Sequence, residues 1–237
     1  MRVAAIQSSL GPSVDLASVN SPSSCVVSGP TEAIDRLERE LVERGVAGRR
    51  LHTSHAFHSA MMDSIVPAFV ERVRQTDRQA PRLRLLSNVT GTWIRDEEAT
   101  EPEYWGRHLR QAVRFSDGVE ALLADESQPV LLEVGPGQTL TSLARQHRRD
   151  DETATAVASL RHPRESDADR AFLLGALGRL WLAGVQIDWP RLHAGAQRRR
   201  VELPTYPFER KRFWIGRSEE QREANALVQG FSPKRRE

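Results

Sequence analysis

The nine residues PVLLEVGPG, positions 129–137, constrain the fold more than any other stretch of the chain. A short apolar run closed by Gly-Pro-Gly reads as a buried strand meeting a sharp turn, with Gly135 and Gly137 supplying the backbone freedom. A helix through Leu143 follows. Strand, turn and helix in that order predict an α/β core with its site at the strand ends. Two glycines without a GxGxxG pattern or a Walker lysine make a poor phosphate cradle, so the turn reads as scaffold.

Around that unit, strand and helix signals alternate. Residues 2–6, 14–19 and 25–28 are β-like. Thr31 is placed to cap a helix with Ile34, Leu37 and Leu41 on one face, ended by Gly45. Residues 49–51 return as a strand, and together these pieces suggest a small α+β unit. A helix is predicted from Met61 to about Thr76, and residues 103–123 read as mostly helical, with Tyr104, Trp105 and the Arg107/Arg110/Arg114 series dividing a packed face from a solvated one. LRLLSNVTG, residues 83–91, reads as a buried strand running into a polar turn. Near His147 the chain becomes charged (HRRDDETAT, a surface loop), then ATAVASL forms a short strand. Residues 169–184 make an amphipathic helix on Phe172, Leu173, Leu177, Leu180 and Trp181. The extended stretch VELPTYPFERKRFWIG follows, and beyond Arg217 the polar composition predicts disorder.

Composition excludes several classes. With 237 residues the chain can bury a sizeable core. The pI of 9.1 looks basic, but 34 Lys+Arg face 32 Asp+Glu, so neither nucleic acid nor a membrane surface is implied as partner. Interleaved aromatics and Arg210–Arg212 near the C-terminus do not change that, because Glu202 and Glu209 sit alongside. No apolar run approaches the roughly 18 residues of a membrane span. The N-terminus lacks the sustained apolar core of a signal peptide, so a cytoplasmic protein is expected. The single cysteine, Cys25, can form neither an internal disulfide nor a zinc site and reads as an inert thiol.

The densest chemistry lies in RLHTSHAFHSAMMD, where His52, His55 and His58 stand three apart. A metal site needs them on one side of the backbone. In an extended segment, odd spacing points His55 opposite to His52 and His58. A helix would bring them closer, but a helix at His52 conflicts with the strand signal before it. The metal reading is therefore disfavoured, and a base beside a pocket residue is left against a coincidence of core histidines.

Context favours the base. HAFHS, SNVTG and EVGPG occur in that order, with NSPSSCVVSG upstream, YWGRHLRQAVRF between and LPTYPFERKRFW at the end. On these motifs, from about Met1 to Ile215, the chain resembles the C-terminal portion of a modular type I polyketide synthase acyltransferase domain (malonyl-CoA:acyl carrier protein transacylase-like) with its post-acyltransferase linker. The resemblance implies an α/β fold. It would comprise part of an α/β-hydrolase-like core (residues 53–147), a small ferredoxin-like subdomain (1–52), the linker (148–216) and a disordered tail (217–237). It implies acyl transfer through a serine ester, from malonyl-CoA to the phosphopantetheine thiol of an acyl carrier protein, with no cofactor bound in this chain. His58 is then the base, and Asn88, in SNVTG, orients its ring through the main-chain carbonyl. His55 and Phe57 border the acyl pocket, and Gln138 approaches its rim. HAFH goes with malonyl and YASH with methylmalonyl, since a phenyl ring fills the space an α-methyl branch needs. LPTYPFERKRFW is expected to strap back toward a ketosynthase linker.

One element of the pattern is missing: no GxSxG occurs in the chain, and that motif carries the nucleophile on a strained elbow. Ser54 and Ser59 flank the tetrad but sit on no elbow signal. The expectation is a fragment that is inactive alone and needs the remaining N-terminal half of the domain. The alternative is a non-catalytic remnant or docking module that binds carrier protein or neighbouring synthase domains.

Overall fold

The computed structural model describes residues 10–125, 129–147, 155–195 and 201–209, with residues 6 and 211. It divides into two compact units, Met1–Asp188 and Trp189–Glu237.

The first unit opens with an antiparallel hairpin, β1 (Asp15–Ser21) and β2 (Ser24–Ser28), turned at residues 22–23. Of the predicted strand at residues 2–6, only Ile6 lies within the described residues, and it is helical. Helix α1 (Thr31–Glu43) follows. Its predicted face is turned inward, with Leu37 and the neighbouring Ala33 buried. Thr31 does not cap it: Pro30 holds the N-cap position, and its fixed φ is compatible with helix entry. Gly45, at φ +66°, ends the helix, and the Val46 N–H closes on the Leu41 carbonyl at 2.8 Å. Residues 49–51 form no strand. Cys25 is partly buried, and burial pushes its thiol up, as suits an inert side chain.

A 3-10 turn (Ala60–Met62) leads into α2 (Val66–Arg74), so the predicted helix from Met61 begins in earnest five residues later, with Pro67 in its first turn. Two short helices follow, α3 (Asp96–Thr100) and α4 (Pro102–Arg110). Helix α2 packs on α4 across Gly106, where an added methyl would come within 2.6 Å of Val70 Cγ2. Residues 103–123 are mostly helical, as expected, but in two pieces: residues 111–114 run extended between α4 and α5 (Phe115–Asp125). Tertiary pairing causes the break. Val113 bridges β1 in parallel, exchanging bonds with the Val19 N–H and the Ala17 carbonyl, both at 2.9 Å.

The predicted strand at 83–91 reduces to one bridge between Leu86 and Trp93, and Leu83 is 83% exposed. Turn chemistry wins over strand propensity here. Ser87 Oγ accepts the Val89 and Thr90 N–H groups, both at 3.1 Å, and pairs with the buried Tyr104 hydroxyl at 2.8 Å, while Gly91 takes φ +73°.

β3 (Val130–Pro136) pairs in parallel with β4 (Thr155–Leu160), with α6 (Thr139–Ala144) and a 3-10 turn (Arg145–His147) in the connection. The predicted strand–turn–helix is thus present. β3 is only half-covered, however, since Leu132 and Val134 are exposed on one face. Gly137, at φ +99°, is the residue that makes the turn; no positive φ falls at Gly135. Helix α7 (Asp169–Leu182) packs on β4, and Val157, Ala176 and Leu180 form the core there. Its buried face is centred on Ala176 rather than Trp181, which is exposed. Of the charged loop after His147, residues 148–154 lie outside the described residues.

Glu133 ties this turn together. Its carboxylate accepts the Thr141 N–H at 2.8 Å and the Leu140 N–H at 3.1 Å, at the start of α6. Burial pushes this carboxyl up, but the backbone bonds from Thr141, Leu140 and Thr139 outweigh it and hold it below its usual value. A depressed folded value gives stability that is present above the unfolded one, about 4.3 for glutamate, and lost as pH falls through the folded one. Glu133→Gln is therefore expected to cost roughly 0.5–2 kcal/mol at neutral pH and to shrink the acid-induced loss of thermal stability, measured by melting at pH 7 and pH 3.

In the second unit, α8 (Trp189–Leu192) is followed by residues 201–209, which are extended and exposed, with Leu203, Tyr206 and Phe208 turned outward. The Phe213 and Trp214 end of the strap and the tail from Arg217 lie outside the described residues.

Candidate active site

HAFHS is held as a loop by groups on both strands of the hairpin. The Asp15 carboxylate, on β1, accepts the Ala60 N–H at 2.8 Å. The Ser28 hydroxyl, at the end of β2, donates to the Phe57 carbonyl at 2.7 Å. Ser59, 1% exposed, donates to the Ala56 carbonyl and accepts the Met61 N–H. These restraints hold His58 at φ +57°, a left-handed conformation that costs a non-glycine residue energy and recurs at functional sites.

The His58 ring faces α4. Its Nδ1 lies 2.8 Å from the Gln111 carbonyl oxygen. A carbonyl can only accept, so Nδ1 carries the hydrogen, and in the neutral ring Nε2 keeps the lone pair. The arrangement is that of a base with its tautomer set by the main chain.

The orienting carbonyl differs from the expected one. Asn88 does not occupy that place: its carbonyl accepts the Arg114 N–H at 2.9 Å. The cause is the extended segment 111–114. β1 grips it through Val113 and the SNVTG turn grips it through Arg114, and its first residue, Gln111, meets the imidazole. Arg110 anchors the same helix end, pairing with Asp63 at 2.6 Å and Asp15 at 3.5 Å.

Phe57 is 46% exposed next to His58, with the His55 ring 6.1 Å away. His55 Nδ1 is 3.0 Å from Ser54 Oγ. Among the described residues, no group of three or more His, Cys, Asp or Glu side chains converges as a metal site would require, and no helix is long and apolar enough to cross a membrane. The Gln138 amide donates to Glu165 at 3.1 Å, beside a hollow of about 500 Å³ that Ser142 and His162 also line, at the carboxyl ends of β3 and β4.

Three residues at the site escaped the sequence reading: Gln111, Ser28 and His108. The His108 ring is half-buried on α4, 6.5 Å from His58, and burial, then the neighbouring His58, holds its imidazole below the usual value. Gln111 acts through its backbone, which leaves no side-chain signature. His108 was hidden in a helix read as packing and charge.

The acyl transferase domain family matches residues 3–187. A phenolphthiocerol/phthiocerol polyketide synthase protein of Mycobacterium tuberculosis is 42% identical over 207 residues, which are 87% of this chain and 14% of that protein. The spectinabilin polyketide synthase system protein NorB of Streptomyces orinoci is 38% identical over 84% of this chain and 9% of its own length. Among solved structures, the acyl transferase domain of SpnD in complex with 2-(pent-4-yn-1-yl)malonyl superposes with a TM-score of 0.74 at 45% identity, covering 77% of this chain and 44% of that one. The acyltransferase domain from the second module of the salinomycin polyketide synthase gives 0.76 at 34% identity, covering 86% and 47%. The chain thus spans less than half of these solved domains and a small part of the synthases. Fold, motif order and sequence agree: the chain belongs to the acyl transferase domain family, in the form that polyketide synthases carry.

Proposed function

We propose that this chain supplies the base and part of the acyl pocket of an acyltransferase that moves malonyl groups from malonyl-CoA to the phosphopantetheine thiol of an acyl carrier protein. The observation that carries the reading is the His58 ring, with Nδ1 on the Gln111 carbonyl and Nε2 left as acceptor. A serine hydroxyl is a poor nucleophile without such a base. His58 takes the hydroxyl proton as the serine attacks the thioester and returns it to the departing CoA sulfur; the second transfer repeats the exchange with the carrier thiol. The chain contains no GxSxG, so the serine belongs to another segment, the N-terminal half of the domain, and these residues alone do not turn over. A ketosynthase domain is the expected neighbour. The domain plan stays as the resemblance implies: residues 1–52, 53–147, 148–216 and 217–237.

Asn88 acts at one remove, fixing Arg114 and so the segment that presents Gln111. Phe57 and His55 border the pocket, and Gln138 its rim. The SpnD relative, solved with a malonyl derivative, supports the malonyl class. Phe57 narrows the choice within it, because the ring occupies the volume of an α-methyl branch. Phe57→Ser is expected to raise methylmalonyl loading relative to malonyl by roughly 10- to 200-fold, read as the ratio of kcat/KM values.

The reading is tested by joining the chain to a segment that bears the GxSxG serine and following labelled malonyl onto carrier protein. The joined protein is expected to load it and the chain alone is not. Loading by the chain alone, or none by a folded joined protein, overturns the reading. One observation favours a docking role instead, the outward Leu203, Tyr206 and Phe208 of the extended segment; carrier-protein binding that is lost when all three become serine would support it.

A further inference from the structure

Helix α4 reaches His58 twice. The residue just past its end, Gln111, provides the carbonyl on Nδ1. One turn earlier, His108 sets its ring 6.5 Å from that of His58, at 78° and so nearly perpendicular. On its other sides the His108 ring meets Trp105 at 5.9 Å and Tyr104 at 6.4 Å. A single hydrogen bond leaves an imidazole able to swing about it, and an aromatic ring standing nearly perpendicular beside it limits that freedom.

We propose that His108 is a positioning residue for His58: its ring backs the base, and it stays neutral while His58 carries the proton. The inference rests on the reading of His58 as the base. Two imidazoles at this spacing resist carrying charge together. Half-burial among aromatic rings makes His108 the member that stays neutral. An imidazolium forming at His58 during transfer then faces a neutral ring rather than a second cation. The charged groups on the surrounding elements are joined in ion pairs of their own: Arg110 with Asp15 of β1 and Asp63, Arg107 with Glu101, Arg74 of α2 with Glu71 and Glu103, and Arg114 with Asp117 of α5.

The test is a pH titration of the full chain, with its histidine rings labelled for NMR. In His58→Gln, the His108 midpoint is expected to move up, because the repelling charge is gone. In His108→Phe, the ring order of His58 is expected to be retained; in His108→Asn, it is expected to fall. An unmoved or lowered His108 midpoint in a folded His58→Gln chain overturns the proposal. Should that variant unfold, the wild-type His108 curve decides: a midpoint at or above the ordinary histidine value overturns it. A merely structural His108 would change stability without its midpoint answering to His58. Acyl transfer is not needed for this readout. Coupling without loading by the joined protein keeps the pair and removes the transferase reading, whereas His58-dependent loading without coupling removes only the proposal for His108.

Discussion

His58→Ala is expected to lower acyl loading by the joined protein roughly 10²- to 10⁴-fold, the usual contribution of a positioned general base. Fold should be spared. The side chain is partly exposed, and its ring bonds to a carbonyl that solvent can also reach. Alanine tolerates φ +57° slightly less well than histidine, a small cost. The unfolding free energy is therefore expected to move by about 0.5 kcal/mol or less, as for ordinary surface changes. That separation is the point of the experiment, since a large loss of rate beside an unchanged melting curve assigns His58 to chemistry rather than packing. Loading within a few-fold of wild type would remove it from the reaction.

Tyr104→Ala carries the largest expected effect on stability, about 3–5 kcal/mol on the scale of buried aromatic truncations. Its side chain is 2% exposed and stacks edge-on to Trp105 at 5.3 Å. Its hydroxyl meets Ser87 Oγ, which also accepts the two N–H groups that close the SNVTG turn. Truncation thus leaves a cavity under α4 and removes the hydroxyl partner of a buried serine. Because α4 presents both His108 and Gln111, the base should lose its orientation as well. Tyr104→Phe keeps the ring and removes one hydrogen bond, about 1 kcal/mol. Urea unfolding of the three proteins checks the order, and a Tyr104→Ala cost near that of Tyr104→Phe would show that the ring does not anchor the helix.

Features carried by local pattern were legible in the sequence. The β1–β2 hairpin, the inner face of α1 and the strand–turn–helix at β3 each follow from short-range pattern, and the last two also from a glycine at a left-handed position, Gly45 and Gly137. Features decided by distant neighbours were not. Residues 83–91 have a leucine-rich strand signal, but a strand needs a partner, and among the described residues the pairing is a single bridge from Leu86 to Trp93. Within the mostly helical stretch 103–123, the gap between α4 and α5 arises because Val113 pairs with β1, a choice no local propensity records. Trp181 looked like a core residue by type, yet α7 turns Ala176 inward, since the small side chain lets the helix approach β4 closely. The site divides the same way. His58 was visible through its flanking motifs. The carbonyl that orients it was expected on Asn88 and lies on Gln111, because any residue can lend its backbone and only tertiary structure decides which one does.

The claim on which the account turns is that His58 presents a bare Nε2, and the ¹⁵N shifts of its ring test it most directly. In the full chain with the ring neutral, Nδ1 is expected to show the pyrrole-like shift of a protonated nitrogen, hydrogen-bonded to the Gln111 carbonyl, and Nε2 the pyridine-like shift of a lone pair. The reverse tautomer, with the hydrogen on Nε2, would leave no base at this position and contradict the account.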